Sequence, residues 1–158
     1  MAVRITALKF QKKNPNRVNV FINDIFGFGV HKSLAAELHV GQVLSPEQIQ
    51  DLELRDEEEQ AYQRALGYIS RRPHAEREIR DKLTRKRVPS EICERVIDRL
   101  RSASLVDDAA FAEAWVEKRR LYRPRSARAL RHELKQKGVG SAAIEAALRD
   151  FDDEEAAW

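Results

Sequence analysis

The chain has 158 residues, 35% of them charged and 42% hydrophobic, with six glycines, five prolines and one cysteine. That length holds one ordinary domain or two small ones, and the balance suits a charged helical protein rather than a disordered one. A lone Cys93 closes no internal disulfide and builds no metal site, no apolar run approaches the roughly 20 residues that span a membrane, and the first residues hold no signal-peptide core. A reducing, cytoplasmic location is the expectation.

The net charge of +3 hides an uneven distribution. From Arg64 to Lys137 there are 21 Lys and Arg against 11 Asp and Glu, whereas Glu47 to Glu59 carries seven acids and one arginine, and Asp150 to Glu155 five acids. A basic middle between acidic flanks attracts polyanions or an acidic protein surface.

In chain order, the first elements are strands. Ile5 to Phe10 is apolar, and Arg17 to Asn23 alternates Val18, Val20 and Ile22 with polar residues at a period of two. The cluster Lys12-Lys-Asn-Pro-Asn16 separates them as a turn, and Asn23-Asp24 suits a tight hairpin into a third strand, Ile25 to Val30. The result is a small antiparallel meander that needs a packing partner. A short helix follows at Lys32 to Leu38, ended near Gly41. Ser45-Pro-Glu-Gln48 then starts a helix over Glu47 to Leu54, with Ser45 as N-cap, Pro46 in the first turn and Gln48 reaching back.

Six amphipathic helices complete the chain. Ala61, Tyr62, Ala65, Leu66 and Ile69 stripe the first; Ile79 and Leu83 the second, over Ala75 to Lys86; Cys93, Val96, Ile97 and Leu100 the third, with Ser90 as expected cap. Phe111, Ala112, Trp115 and Val116 stripe the fourth, Leu130 and Leu134 the fifth, and Ile144, Ala147, Leu148 and Phe151 the sixth. A shift of 51 residues lays Arg72-Pro73 on Arg123-Pro124, Arg77 on Arg128, Leu83 on Leu134, Lys86 on Lys137, Val88 on Val139 and Ser90 on Ser141. A period near 50 with three helices in each unit means stacked helical repeats sharing a core. The fold class is therefore mainly α, tandem three-helix repeats in an elongated array behind a small antiparallel β meander. The expected parts are a β-containing module over 1–55, repeats over 56–105 and 106–151, and the start of an incomplete third repeat at 152–158. The last of these rests on the likeness of Asp152-Asp-Glu-Glu-Ala-Ala-Trp158 to Asp56-Glu-Glu-Glu-Gln-Ala-Tyr62.

Lys118 to Lys137 is the strongest functional signal, with nine Lys and Arg and a single acid, Glu133. Lys118, Arg119, Arg120 and Arg123 lie at a helix end and turn; Arg125, Arg128 and Arg131 share a helical face at three-residue steps, and Lys135 follows. Arginine forks suit phosphate or carboxylate. So few acids favour binding over a merely solvated face. In the first repeat Arg71, Arg72 and Arg77 open an equivalent patch, but there Glu76, Glu78 and Asp81 interleave. Pairing of Glu76 with Arg80, Glu78 with Lys82 and Asp81 with Arg85 would neutralise much of it, and neither reading prevails.

The remaining candidates read as structural. Asp107 and Asp108 at a helix start are expected to cap it rather than hold a metal. His31, His39, His74 and His132 show no metal-ligand spacing and are placed on the surface or in turns. Cys93 and Trp115 are core residues and Tyr122 a core-edge residue, with stacking on a base as the alternative for Tyr122. No phosphate-cradling glycine loop or catalytic constellation is recognisable, so the chain reads as non-enzymatic and without cofactor.

Arg71-Arg-Pro-His-Ala-Glu-Arg-Glu-Ile79 with Lys82-Leu83, Leu105-Val-Asp-Asp108 with Phe111-Ala112, and Glu133-Leu-Lys-Gln-Lys-Gly138 together resemble the RecX family, over roughly residues 61–151. The strand-rich N-terminus is similar to the extension that some members carry. The resemblance implies tandem three-helix repeats that modulate the RecA recombinase in homologous recombination and DNA repair. It further implies docking in the groove of the RecA filament on protomers and DNA, limiting filament growth, strand exchange, ATP hydrolysis and co-protease activity, with no catalysis. Joined to the charge reading, it makes Lys118, Arg119, Arg120, Tyr122, Arg123, Arg125, Arg128, Arg131, Lys135, Arg71, Arg72 and Arg77 the expected RecA- and DNA-binding residues of a monomeric, membrane-free regulator. A nucleic-acid-binding module acting without RecA is the alternative. The chain departs from the family pattern in two places: Arg87 stands where the second repeat has Gly138, and three full repeats are usual in the family.

Overall fold

A computed structural model describes residues 1–149 and 151. The chain divides between Tyr62 and Gln63 into two compact units, each described by itself.

The first unit opens with three strands: β1 (Val3–Phe10), β2 (Arg17–Ile22) and β3 (Ile25–His31). Asn23 and Asp24 both take positive φ, 52° and 67°, as a two-residue turn between right-twisted strands requires. The expected meander is present. A fourth strand, β4 (Val43–Leu44), escaped the sequence reading and pairs with Val3 and Arg4 to give the antiparallel order β3-β2-β1-β4. Two residues carry no period, so only the distant partner defines them. Helix α1 (Lys32–Ala35) is shorter than expected, and His31 caps it by accepting from the Ser33 amide at 3.2 Å.

Ile5, Val18, Val20 and Val30 of the sheet bury against Leu34, Ala35, Leu44 and Leu52. Each large side chain removed from water contributes about 1.5–3 kcal/mol, which gives the small sheet the partner it needs. A polar knot closes the module. Asp56 is buried and accepts from both Arg17 Nη atoms at 2.9 and 3.3 Å, from the His31 amide at 2.8 Å and from Gln60 at 2.8 Å. Several donors on one carboxylate repay its desolvation.

Helix α2 runs from Pro46 to Arg71 without a break, so the expected short helix, the acidic run and the first helix of the repeats are one element. Glu57, Glu58 and Glu59 are good helix formers, and no glycine or proline interrupts them. Its start follows the expected capping box: Gln48 Oε1 accepts from the Ser45 amide at 2.7 Å while Ser45 Oγ accepts from the Gln48 amide at 3.1 Å.

In the second unit α2 continues into α3 (Glu76–Arg85) and α4 (Ser90–Ser102), followed by α5 (Asp108–Tyr122), α6 (Ala127–Gln136) and α7 (Ser141–Ala147). Ile79 and Leu83 of α3 and Ile92, Cys93, Val96, Ile97 and Leu100 of α4 are buried, as the stripes predict. Phe111, Ala112, Val116, Leu130, Leu134, Val139, Ile144 and Leu148 build the second core together with Ala75. Ser90 is not the cap of α4 but its first residue: extended Pro89 stands at the N-cap, where its carbonyl accepts from the Cys93 amide.

The 51-residue repeat extends to polar contacts. Arg80 grips Glu94 through Nε and Nη2 at 2.6 and 3.1 Å, and Arg131 grips Glu145 through the same atoms at 2.7 and 3.2 Å. Each pair joins the second helix of its repeat to the third. Both second helices end alike, with the Val88 amide donating to Leu83 and the Val139 amide to Leu134, each at 3.1 Å. The residues before those valines, Arg87 and Gly138, are left-handed at φ 64° and 82°. The expected start of a third repeat at 152–158 lies outside the described residues.

Candidate binding surface on α5 and α6

Asp107 starts α5 by accepting from the Ala109 and Ala110 amides at 3.0 and 3.2 Å, the expected cap. Its neighbour Asp108 caps α3 instead, accepting from the Glu76 amide at 3.1 Å, and burial pushes its carboxyl upward. One dipeptide thus orders the start of two helices and fixes the first repeat against the second. Ser126 Oγ accepts from the Ala129 amide at 3.2 Å and starts α6, so the turn of Arg123, Pro124 and Arg125 is bounded by α5 and a well-capped helix.

The cations of this region fall into two groups. Arg119 is half-buried, 3.3 Å from Glu133 and with its guanidinium 4.9 Å from the Trp115 ring centre. Arg131 belongs to Glu145. Arg120 lies 5.8 Å from the Phe151 ring centre. By contrast Lys118, Arg123, Arg125, Arg128 and Lys135 are exposed, and none is ion-paired with another described residue. Arg125, Arg128 and Arg131 do not act as one face, because Arg125 precedes the α6 cap and Arg131 is drawn to α7.

Tyr122 is 76% exposed and Leu121 65%. Tyr122 is therefore no core-edge residue, since α5 ends there with nothing packed over it among the described residues. Trp115 is half-buried rather than core: it stacks on Phe111, donates from Nε1 to Glu133 at 3.1 Å, and has Lys137 Nζ 5.5 Å from its ring. Leu121, exposed beside Tyr122 near the end of α5, is a residue that the sequence reading did not single out.

In the first repeat the pairing is between helices, not along α3 as expected. Glu76 accepts from Arg101 at 2.6 and 2.9 Å, while Glu78 accepts from Arg72 and from Lys137 of the second repeat. Burial pushes Glu78 upward, but the hydrogen bonds from Arg72, the Ala75 amide and Lys137 outweigh it and hold the carboxyl at about 2. Arg77 lies along Gly138, so closely that a Cβ on that glycine would strike the arginine stem. Of the three cations named there, Arg71 is exposed without an ion pair among the described residues, while Arg72 and Arg77 join parts of the unit.

Residues 3–45 match the family described as "Regulatory protein RecX N-terminal domain", residues 61–100 "RecX, first three-helix domain", and residues 107–148 "RecX, second three-helix domain". A crystal structure of regulatory protein RecX superposes with a TM-score of 0.87 at 30% identity, over 98% of this chain and 77% of that one. The chain belongs to the RecX family. Regulatory protein RecX of Halalkalibacterium halodurans is 34% identical over 96% of this chain and 59% of its own, and that of Bacillus pumilus 32% identical over 95% and 58%. The chain thus spans under two thirds of the length of the curated RecX relatives it matches. The crystal structure of RecX from Lactobacillus salivarius, at 24% identity and a TM-score of 0.61, shares the fold over 65% of this chain. Membership places this chain among regulatory proteins. Among the described residues no helix is long and apolar enough to cross a membrane.

The first RecX repeat also buries a histidine that the sequence reading placed on the surface or in a turn: it lies in the turn between α2 and α3, but not at the surface. His74 is 4% exposed, stacked on Tyr68, with Nδ1 2.9 Å from the Arg72 carbonyl and Nε2 2.7 Å from Lys82 Nζ. The carbonyl requires the proton on Nδ1, which leaves Nε2 to accept from the ammonium. Burial lowers its affinity for a proton, and the Arg72 and Lys82 charges add to that. A depressed folded-state value means stability fully present above about 6.5, lost as pH falls from there toward that lower value. The denaturant midpoint is expected to fall more steeply between pH 7.5 and 5.5 in the native chain than in His74→Gln, and equal slopes would refute this assignment.

Proposed function

We propose that this chain restrains RecA by docking on the RecA–DNA filament groove through the surface formed by the end of α5, the following turn and the outer side of α6. The observation that carries the reading is the exposed set Lys118, Arg123, Arg125, Arg128 and Lys135, cations left over after Arg119 and Arg131 are committed to neighbours. Their forks and ammonium groups suit the phosphates of filament DNA and the carboxylates of RecA protomers. Leu121 and Tyr122 add apolar area of the kind that anchors a protein contact. Arg120 lies at the border of this surface, and Arg71, with Arg72 and Arg77 partly engaged, extends it into the first repeat. On this reading the protein is a monomeric cytoplasmic regulator that performs no chemistry itself.

The test is RecA-catalysed ATP hydrolysis on single-stranded DNA with the chain added below stoichiometry. A fall in rate at ratios well under one chain per RecA is expected. A correctly folded chain that leaves hydrolysis unchanged, yet binds naked DNA with a steep salt dependence, would instead identify a nucleic-acid-binding module acting without RecA.

A further inference from the structure

The filament reading leaves the N-terminal module unused, and its charge is lopsided. From Met1 to His31 the cations are Arg4, Lys9, Lys12, Lys13 and Arg17, and the one acid is Asp24. Register separates the two sides of the sheet. Leu8, Val20 and Phe28 align in one row and Val18 with Val30 in another, facing the core built with Leu34 and Leu52. The alternate rows therefore face away from that core. One is Lys9, Asn19 and Gly29; the next is Ala7, Phe21 and Phe26; Arg17 with His31 begins a third.

On that outer side the residues form a platform. Phe26 is 56% exposed and meets Phe21 edge to face at 6.1 Å, while Lys9 Nζ stands 5.3 Å from the Phe21 ring centre. Gln11 donates to Asn19 Oδ1 at 3.0 Å, which fixes two amides over Gly29, where the Arg17 guanidinium also lies close. Lys12 and Lys13 are exposed in the adjoining turn. Arg17 is tied to Asp56, so the free charge on this side is Lys9, Lys12 and Lys13.

We infer that the outer face of the β1–β2–β3 sheet binds single-stranded nucleic acid, with bases on Phe21 and Phe26 and phosphates on Lys9, Lys12 and Lys13. Charge complementarity selects a polyanion. The exposed Phe26 ring, beside half-buried Phe21, selects one with flat apolar groups at hand, which a duplex keeps inside its stack. Two phenylalanines offer too little area for a stable protein interface, whose partners each bury about 800 Å². The paired amides of Gln11 and Asn19 offer donors and acceptors to base edges.

The experiment uses the full chain and no RecA, so its outcome is separate from the filament reading. To exclude the α5–α6 surface, it starts from the variant with Arg123, Arg125 and Arg128 changed to Glu. Anisotropy of a labelled 20-nucleotide oligothymidylate is measured with and without Phe26→Ala, and separately with Lys9→Glu, with circular dichroism confirming the fold. Both side chains lie on the exposed side, so neither change opens the core. Each is expected to weaken single-strand binding about tenfold or more, while Phe26→Ala leaves duplex binding within about twofold. Unchanged single-strand affinity in both variants, or an equal loss on duplex in Phe26→Ala, would overturn the assignment.

Discussion

Changing Arg123, Arg125 and Arg128 together to glutamate is expected to abolish inhibition of RecA strand exchange and leave helicity intact. All three side chains are exposed, and none is ion-paired with another described residue. Their removal therefore breaks no internal pair and leaves Leu130, Leu134 and the Ser126 cap in place. Glutamate at position 128 falls in the first turn of α6, where negative charge suits the helix dipole, whereas at position 123 it follows the end of α5 and costs a few tenths of a kcal/mol. Near-native stability should result. Binding is another matter, because every reversal removes an attraction and sets a like charge against phosphate or carboxylate. Three such changes are expected to lower filament affinity on the order of a hundredfold or more. Strand-exchange assays across a titration of the variant measure it directly, and undiminished inhibition would remove this surface from the function.

What the chain reveals before folding depends on the range of the interaction. The Ser45–Gln48 box, the Asn23-Asp24 turn and the Asp107 cap are local, and their chemistry is complete within a few residues. The repeat was legible too, because a proline, a serine at a helix start and core positions recur together at one shift. Partner choice was not. Glu78 looked like a partner for Lys82 one turn away, but it meets Lys137, 59 residues later. Arg131 looked free because no acid stands three or four residues from it on the helix, yet Glu145 reaches it from α7. Counting acids near a basic run thus overstates its free charge wherever two helices face each other. Attention to that run also concealed the basic N-terminal module, whose cations are spread over two strands and a turn and converge only through the register of the sheet.

Gly138 and Arg87 occupy the same left-handed position in successive repeats, yet they should respond to substitution very differently. At Arg87 the backbone is at φ 64° and the side chain is exposed, so the cost of a non-glycine residue, about 1–2 kcal/mol, is already borne by the native protein. Arg87→Gly relieves that strain but loosens the unfolded chain, and a net gain of under about 1 kcal/mol is expected. At Gly138 the φ is 82°, and an added Cβ lands on the Cβ, Cγ and Cδ of Arg77. The near end of a side chain cannot swing aside, so α3 or the turn after α6 must move. Gly138→Ala therefore combines the left-handed penalty with overpacking, for a loss of about 2–4 kcal/mol. Gly138→Val should lose more, since a β-branched residue is a worse fit to positive φ. A double-mutant cycle reads the contact. Arg77→Ala removes Cγ and Cδ but keeps the Cβ that the added atom also strikes, so it should return only part of the overpacking loss, and more than the backbone cost of about 1–2 kcal/mol remains. Urea midpoints at unchanged slope give each value. Strict additivity of the two substitutions would mean that the contact with Arg77 is not what reserves position 138 for glycine, and that backbone conformation alone accounts for it.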